Sequence, residues 1–189
     1  MSWKLSWIQR WGLNHAVRQG KRDQRSAQLP DDVNILIVLP PEQEKILQQL
    51  PVLKSWVKKN ASFPIFILVY PDQITVPQDF AQNVRWLSCH IDSLRKDGLP
   101  TKRFWRNFPK MYPTTILLFN ENYHPFTETV FARLAAKNKV AVWHEKRQEY
   151  ATILVKLTQN HQPPKMVELL LDYYETFTSP LHHTSNSML

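Results

Sequence analysis

Three glycines in 189 residues leave little material for the loops on which nucleotide binding usually rests. A P-loop or GxGxxG turn needs glycines close together, so that backbone N–H groups can reach a phosphate. Neither pattern occurs in this chain, and no nucleophile elbow occurs either. The single cysteine, Cys89, excludes an internal disulfide and suits a reducing compartment. Without a second cysteine or a His/Cys spacing it cannot begin a zinc site, so no metal is expected and Cys89 reads as a buried apolar thiol. No cofactor is expected. No apolar run approaches the ~20 residues of a membrane-spanning helix, and the N-terminus lacks the apolar core of a signal peptide. The expected location is cytoplasmic, or peripheral at the inner membrane.

What is present is ample core material and an uneven charge. At 43% hydrophobic and 12% aromatic the chain can bury a sizeable core, and its length suits one domain with extensions. Of the net +8, +5 lies in residues 1–30, where Lys4, Arg10, Arg18, Lys21, Arg22 and Arg25 face Asp23 alone. The same stretch holds Trp3, Trp7 and Trp11, spaced to share one helical face. This arm reads as an untidy helix over 3–22 followed by the linker "KRDQRSAQLPDD". Its tryptophans and cations suit an anionic surface.

Buried runs and helical stripes then alternate. "VNILIVL" (33–39) is a continuous, β-branched run, as in strands covered on both faces. A helix over 42–59 puts Ile46, Leu50, Leu53 and Val57 on one stripe. Further strands are expected at 63–70, 84–91, 114–120, 139–144 and 151–157, with a helix near 125–137. The segment 92–113, with Gly98, Pro100, Pro109 and Pro113, reads as irregular. Pro163-Pro164 opens a last helix striped by Met166, Leu170, Tyr173 and Phe177, and the tail after it reads as frayed. The alternation predicts a single Rossmann-like α/β domain, three layers with a mostly parallel sheet, over 31–160. Its sheet is led by 33–39, with 63–70 beside it and 114–120 across the switch point. Residues 1–30 form the arm, and 161–189 the C-terminal helix and tail.

Candidate site residues are few. Asn120, Glu121 and His124 follow a strand end, where α/β proteins bind ligands, although a turn-and-cap role also fits them. His144-Glu145 is a comparable pair. "KRFWRNFPK" (102–110) interleaves Lys102, Arg103, Arg106 and Lys110 with Phe104, Trp105 and Phe108. That pattern suits single-stranded nucleic acid or an anionic sugar phosphate; equally, the aromatics could cover the sheet while the charges stay solvated. Glu42 and Glu44 fall in a helix first turn, where the helix dipole favours acids. His182-His183 lies in the tail and reads as incidental.

"ILIVLPPEQEKILQQLPVLKSWVKKNASFPIFILVYP" resembles the opening of the ADP-heptose–lipopolysaccharide heptosyltransferases, glycosyltransferase family nine, with Leu50-Pro51-Val52-Leu53 matching their "LPVL" turn. "TTILLFNENYHPFTETVFARLAAKNKVAVWHEK" is similar to a later strand–helix–strand of the same N-terminal half, with Ala141 where glycine is usual. A short bacterial group sharing that half-fold is an equally close likeness. The resemblance implies the N-terminal half of a GT-B fold. It also implies a Gly-Asp pair before the "LPVL" element, and there this chain has Glu44 and Lys45. A protonated lysine cannot serve as the base, so no catalytic residue is assigned. The family further uses a second Rossmann-like domain, for which one helix and a tail after residue 160 are too little. The expectation is therefore a non-catalytic binding module linked to envelope polysaccharide. Its partner would be an acidic glycan, a protein or an anionic membrane surface. The alternatives are the acceptor-side subunit of a two-chain glycosyltransferase and a nucleic-acid-binding module.

Overall fold

The computed structural model describes residues 5–26, 34–70, 80–157 and 162–178. Six strands form one sheet: β1 (Ile35–Val38), β2 (Ile65–Val69), β3 (Val84–Ser88), β4 (Thr115–Leu118), β5 (Asn138–Val142) and β6 (Ile153–Val155). Their order is β3-β2-β1-β4-β5-β6, and every pairing is parallel. This is the doubly wound arrangement expected from the alternation of buried runs and helices. β1 is central, in register with Ile65–Leu68 on one side and Thr115–Leu118 on the other. All four of its residues are fully buried.

Helices cover both faces. α2 (Gln43–Lys59) and α5 (Pro163–Thr178) pack on one, around Ile35, Ile37, Ile67, Leu117 and Val140. The Trp56 indole N–H donates to Glu175 Oε1 at 2.7 Å, tying these two helices together. α3 (Lys102–Asn107) and α4 (Pro125–Arg133) cover the opposite face with Leu36, Val38, Leu68, Ile116 and Leu118. Because side chains alternate along a strand, neighbouring residues of β1 feed opposite cores.

α1 (Trp7–Ser26) adds a further layer over α4. Leu13, Ala16 and Val17 are buried there. A Cβ built on Gly20 would fall 2.2 Å from the Ala132 carbonyl oxygen, so the two backbones meet where only glycine fits. The arm thus docks on the domain, and the helix runs on through the Lys21–Ser26 stretch expected to be linker. Trp7 and Trp11 share its outer face, while Trp3 lies outside the described residues.

Three further expectations are corrected. The irregular 92–113 segment contains α3, whose N-cap Thr101 accepts from the Phe104 N–H and supplies the start signal that flanking prolines obscure. The helix begun at Pro125 ends at Arg133, not near 137. On α5 the buried face is Met166, Val167, Leu170, Leu171 and Tyr174, whereas Tyr173 and Phe177 are exposed.

Candidate functional site

β1 and β4 lie side by side, yet their following crossovers lead to opposite faces of the sheet. The crevice beyond their C-terminal ends is the topological switch point, where open α/β sheets bind ligands. From β1 the chain enters Pro40, Pro41 and Glu42. Two prolines remove two N–H donors, so this junction cannot cradle a phosphate as glycine-rich turns do. Glu42, the N-cap of α2, makes no capping hydrogen bond. Its carboxylate accepts instead from Lys45 Nζ at 2.8 Å. Glu44 is exposed in the next turn.

The polar groups of the crevice gather around the end of β4. Asn120, 1% exposed, donates through Nδ2 to Thr127 Oγ1 at 3.3 Å. Thr127 in turn donates to the His124 carbonyl. On the α2 side, Gln49 is also 1% exposed and donates to the Phe119 carbonyl at 3.5 Å. His124 is the N-cap of α4, without a capping hydrogen bond. Its ring meets the Tyr70 ring edge-on at 4.7 Å, and Tyr70 meets Phe126 at 5.6 Å. Three buried acceptors are left without a hydrogen-bond donor: Gln49 Oε1, Asn120 Oδ1 and His124 Nδ1. Leaving a buried acceptor unpaired costs about 1–3 kcal/mol. Burial pushes His124 down to about 4, against the pull of Glu42, so its imidazole is neutral at pH 7. The set is uncharged and deficient in donors.

The structure brings Asn120 and His124 together through Thr127, but Glu121 is exposed in the intervening turn. Lys102, Arg103 and Arg106 point outward from α3 while Phe104 is buried, its ring 5.3 Å from that of Phe126. Of the two readings of 102–110, the geometry matches aromatics on the core and cations in solvent. His144 caps a 3₁₀ turn, its Nδ1 accepting from the Lys146 N–H. Cys89 is buried. The tail histidines lie outside the described residues. Gln49 and Tyr70 were not anticipated, although Gln49 interrupts the apolar stripe of α2 three residues after Ile46, and a polar side chain there needs a reason.

A second polar cluster was also unforeseen. Glu128 and Arg147 are both fully buried and form an ion pair. Arg147 Nε donates to Glu128 Oε1 at 3.0 Å, and Arg147 also donates to the Val142 carbonyl. The Tyr150 hydroxyl donates to Glu128 Oε2 at 2.8 Å. Burial and the Glu128 carboxylate push that hydroxyl far up, so it remains a donor. With both charges met, this cluster locks the 145–149 turn onto α4 rather than offering a site. Among the described residues, no three metal-ligating side chains converge and no helix is long and apolar enough to cross a membrane.

Sheet order and helix placement together define a Rossmann-like, doubly wound α/β domain. Among solved structures, the chain is similar to E. coli heptosyltransferase WaaC with ADP-2-deoxy-2-fluoro heptose. That match has a TM-score of 0.59 and 12% identity, and covers 79% of this chain and 50% of that one. It is also similar to the same enzyme with ADP, at a TM-score of 0.54 and 14% identity, covering 79% and 49%. The chain therefore spans about half the length of the structures it matches, in keeping with the resemblance to the N-terminal half. At these identities the likeness is one of fold. No protein-family model and no curated protein matches the sequence.

Proposed function

We propose that this chain is a glycosyltransferase-like binding module that holds a glycan at the switch point without itself transferring a sugar. The observation that carries this reading is the set of buried, unpaired acceptors on Gln49, Asn120 and His124. Sugar hydroxyls are the donors that such a set lacks. The fold likeness to a heptosyltransferase supports a sugar as the ligand class. A non-catalytic role is supported by Lys45, which stands where the family resemblance implies the aspartate base and pairs instead with the Glu42 carboxylate. It is also supported by the neutrality of His124, whose low pKa makes it a poor proton acceptor at pH 7.

The test is ligand-observed NMR with the full chain, using heptose-bearing core oligosaccharide against a neutral glucan of equal length. Binding of the heptose oligosaccharide is expected, and Asn120→Ala or His124→Ala should each weaken it by tenfold or more, as loss of a buried hydrogen bond requires. Binding that ignores both substitutions would remove the switch point as the site. Turnover of a nucleotide sugar by the purified chain, abolished by Glu44→Gln, would overturn the non-catalytic reading.

A further inference from the structure

α1 is amphipathic twice over. One narrow face, Leu13, Ala16, Val17 and Gly20, is spent on the domain. The opposite face carries large side chains that stay exposed, although Trp11 stacks on the His15 ring at 5.7 Å. Trp7 is 79% exposed, Trp11 57% and Ile8 41%, all within the first turns. Farther along, Arg18, Lys21, Arg22 and Arg25 are the described residues that line an open concavity of 460 Å³. Positions 7, 11, 18, 22 and 25 fall on one stripe at helical spacing. The helix holds a single acid, Asp23, which is only partly exposed and acts on Arg133. The outer face thus carries its exposed aromatics at one end, with the exposed Arg10 beside them, and a run of cations at the other.

This face is not an isolated stripe. A cavity of 330 Å³ joins Trp11 and His15 to Arg95, Lys102, Trp105 and Arg133, so the basic segment after Thr101 continues the rim of α1. Arg133 itself stacks over the Trp105 ring at 4.0 Å. The arm and the 102–110 segment, far apart in the chain, contribute to one side of the molecule.

We propose that the outer face of α1 seats the protein on an anionic lipid surface. Indole rings favour the boundary between headgroups and acyl chains, and cations favour an anionic leaflet. Arg10 sits beside the tryptophans, but the cationic stretch from Arg18 to Arg25 carries no aromatic ring, and that decides between this occupant and single-stranded nucleic acid. Nucleic acid wants aromatic rings interleaved with cations along one track, whereas Trp7 and Arg18 are roughly 16 Å apart at 1.5 Å per residue. Ile8, set between the tryptophans, offers no stacking surface but does favour lipid. Because the other face of α1 is already committed, only Trp7, Ile8 and Trp11 dip into the boundary while the cations lie across the headgroups.

The experiment is sedimentation of the full chain with vesicles of neutral phospholipid, alone or with about 30% anionic lipid, at low and raised salt. Binding is expected only with the anionic vesicles, and is expected to fall steeply as salt rises. At about fivefold per cation, the triple variant Arg18→Gln, Lys21→Gln, Arg25→Gln should partition on the order of a hundredfold more weakly. Trp7→Ser with Trp11→Ser should also weaken binding, and both variants should melt as the parent does because these side chains are exposed. Equal binding to neutral and anionic vesicles, or partitioning indifferent to both variants, would overturn the proposal. So would a single-stranded oligonucleotide bound through the same residues while vesicles are ignored.

Discussion

Gly20→Ala sets two physical effects of opposite sign against each other. Gly20 lies inside a 20-residue helix, where alanine is favoured over glycine by about 1 kcal/mol. Propensity alone therefore predicts a more stable protein. The contact predicts the reverse, because the new Cβ would sit 2.2 Å from the Ala132 carbonyl oxygen and 3.0 Å from that of Arg133. Both neighbours are backbone and cannot rotate away. α1 must then back off by roughly 1 Å, a gap that forfeits a quarter to a half of each dispersion contact across it. Leu13 and Val17 are buried in that seam, and full burial of such side chains contributes about 1.5–3 kcal/mol each. Losing part of both, together with residual overpacking of about 1–3 kcal/mol, outweighs the gain in propensity by ~1–5 kcal/mol. Tm should fall by roughly 2–20 °C for a chain of this size, and amide exchange should accelerate along α1. Gly12→Ala is the control, since its Cβ would meet only the Leu99 methyl group at 2.4 Å, the movable end of a side chain. A Gly20→Ala protein that melts higher than the parent would refute the close crossing of α1 and α4.

Lys139, 2% exposed, donates to the Ala132 carbonyl at 3.0 Å, and burial lowers its pKa to about 8. The unfolded chain then holds the extra proton between that value and the ordinary one near 10.4, so stability should rise with pH from about 8; Tm measured over pH 7.5–9.5 (about the window below tyrosine ionisation) should show that slope in the parent and lose it in Lys139→Met. His124, lowered to about 4 by burial, has the same sign at acid pH. Stability should fall as pH drops from about 6.5 toward 4, and urea melts of His124→Phe should show a shallower decline. Glu128→Gln strands the buried Arg147 charge and should cost about 3–5 kcal/mol in urea unfolding, whereas a Glu128→Met, Arg147→Met double variant should recover most of that loss.

The strands were legible because a sheet covered on both faces leaves an uninterrupted apolar trace, and "VNILIVL" could be little else. Its place at the centre followed from connectivity. The face of α5 was not legible in the same way. Met166 and Leu170 belong both to the expected stripe through Tyr173 and to the observed one through Val167, Leu171 and Tyr174. Packing against α2 chooses between them, and that information is tertiary. α3 escaped because six residues between proline-containing segments carry too little periodicity, leaving the Thr101 cap as the main local signal. The Glu128–Arg147 pair joins residues 19 apart, a distance with no helical or strand period. A charged residue inside the apolar α4 run nevertheless implied a partner. At the crevice, Asn120 and His124 were placed by their position after a strand. Gln49 and Tyr70 reach the same site from α2 and β2, through a fold that had first to be assembled.

The two ends of α1 meet different ends of the domain, and this relates the lipid-facing helix to the switch point. Near its C-terminus, Gly20 lies on Ala132 in the last turn of α4, and Gln24 Nε2 donates to the Ala136 carbonyl at 3.2 Å, just beyond that helix. Near its N-terminus, Gln9 Nε2 donates to the Asp97 carbonyl at 3.3 Å, and Gly12 abuts Leu99. Between these two contacts Gly98, held at φ +79°, faces the Pro125 ring, and Pro125 directly follows His124. The tryptophan end of α1 is therefore linked by consecutive contacts to the edge of the sheet that holds Asn120 and His124, and the arginine end is not. A lipid surface that received Trp7 and Trp11 would lie toward that edge, where a glycan carried on a lipid could reach the unpaired acceptors. Each element also has a separate physical basis, buried acceptors in one case and exposed tryptophans with cations in the other. The substitutions that disable one should leave the other intact: Asn120→Ala should spare vesicle binding, and the Arg18, Lys21 and Arg25 variant should spare binding of the free oligosaccharide.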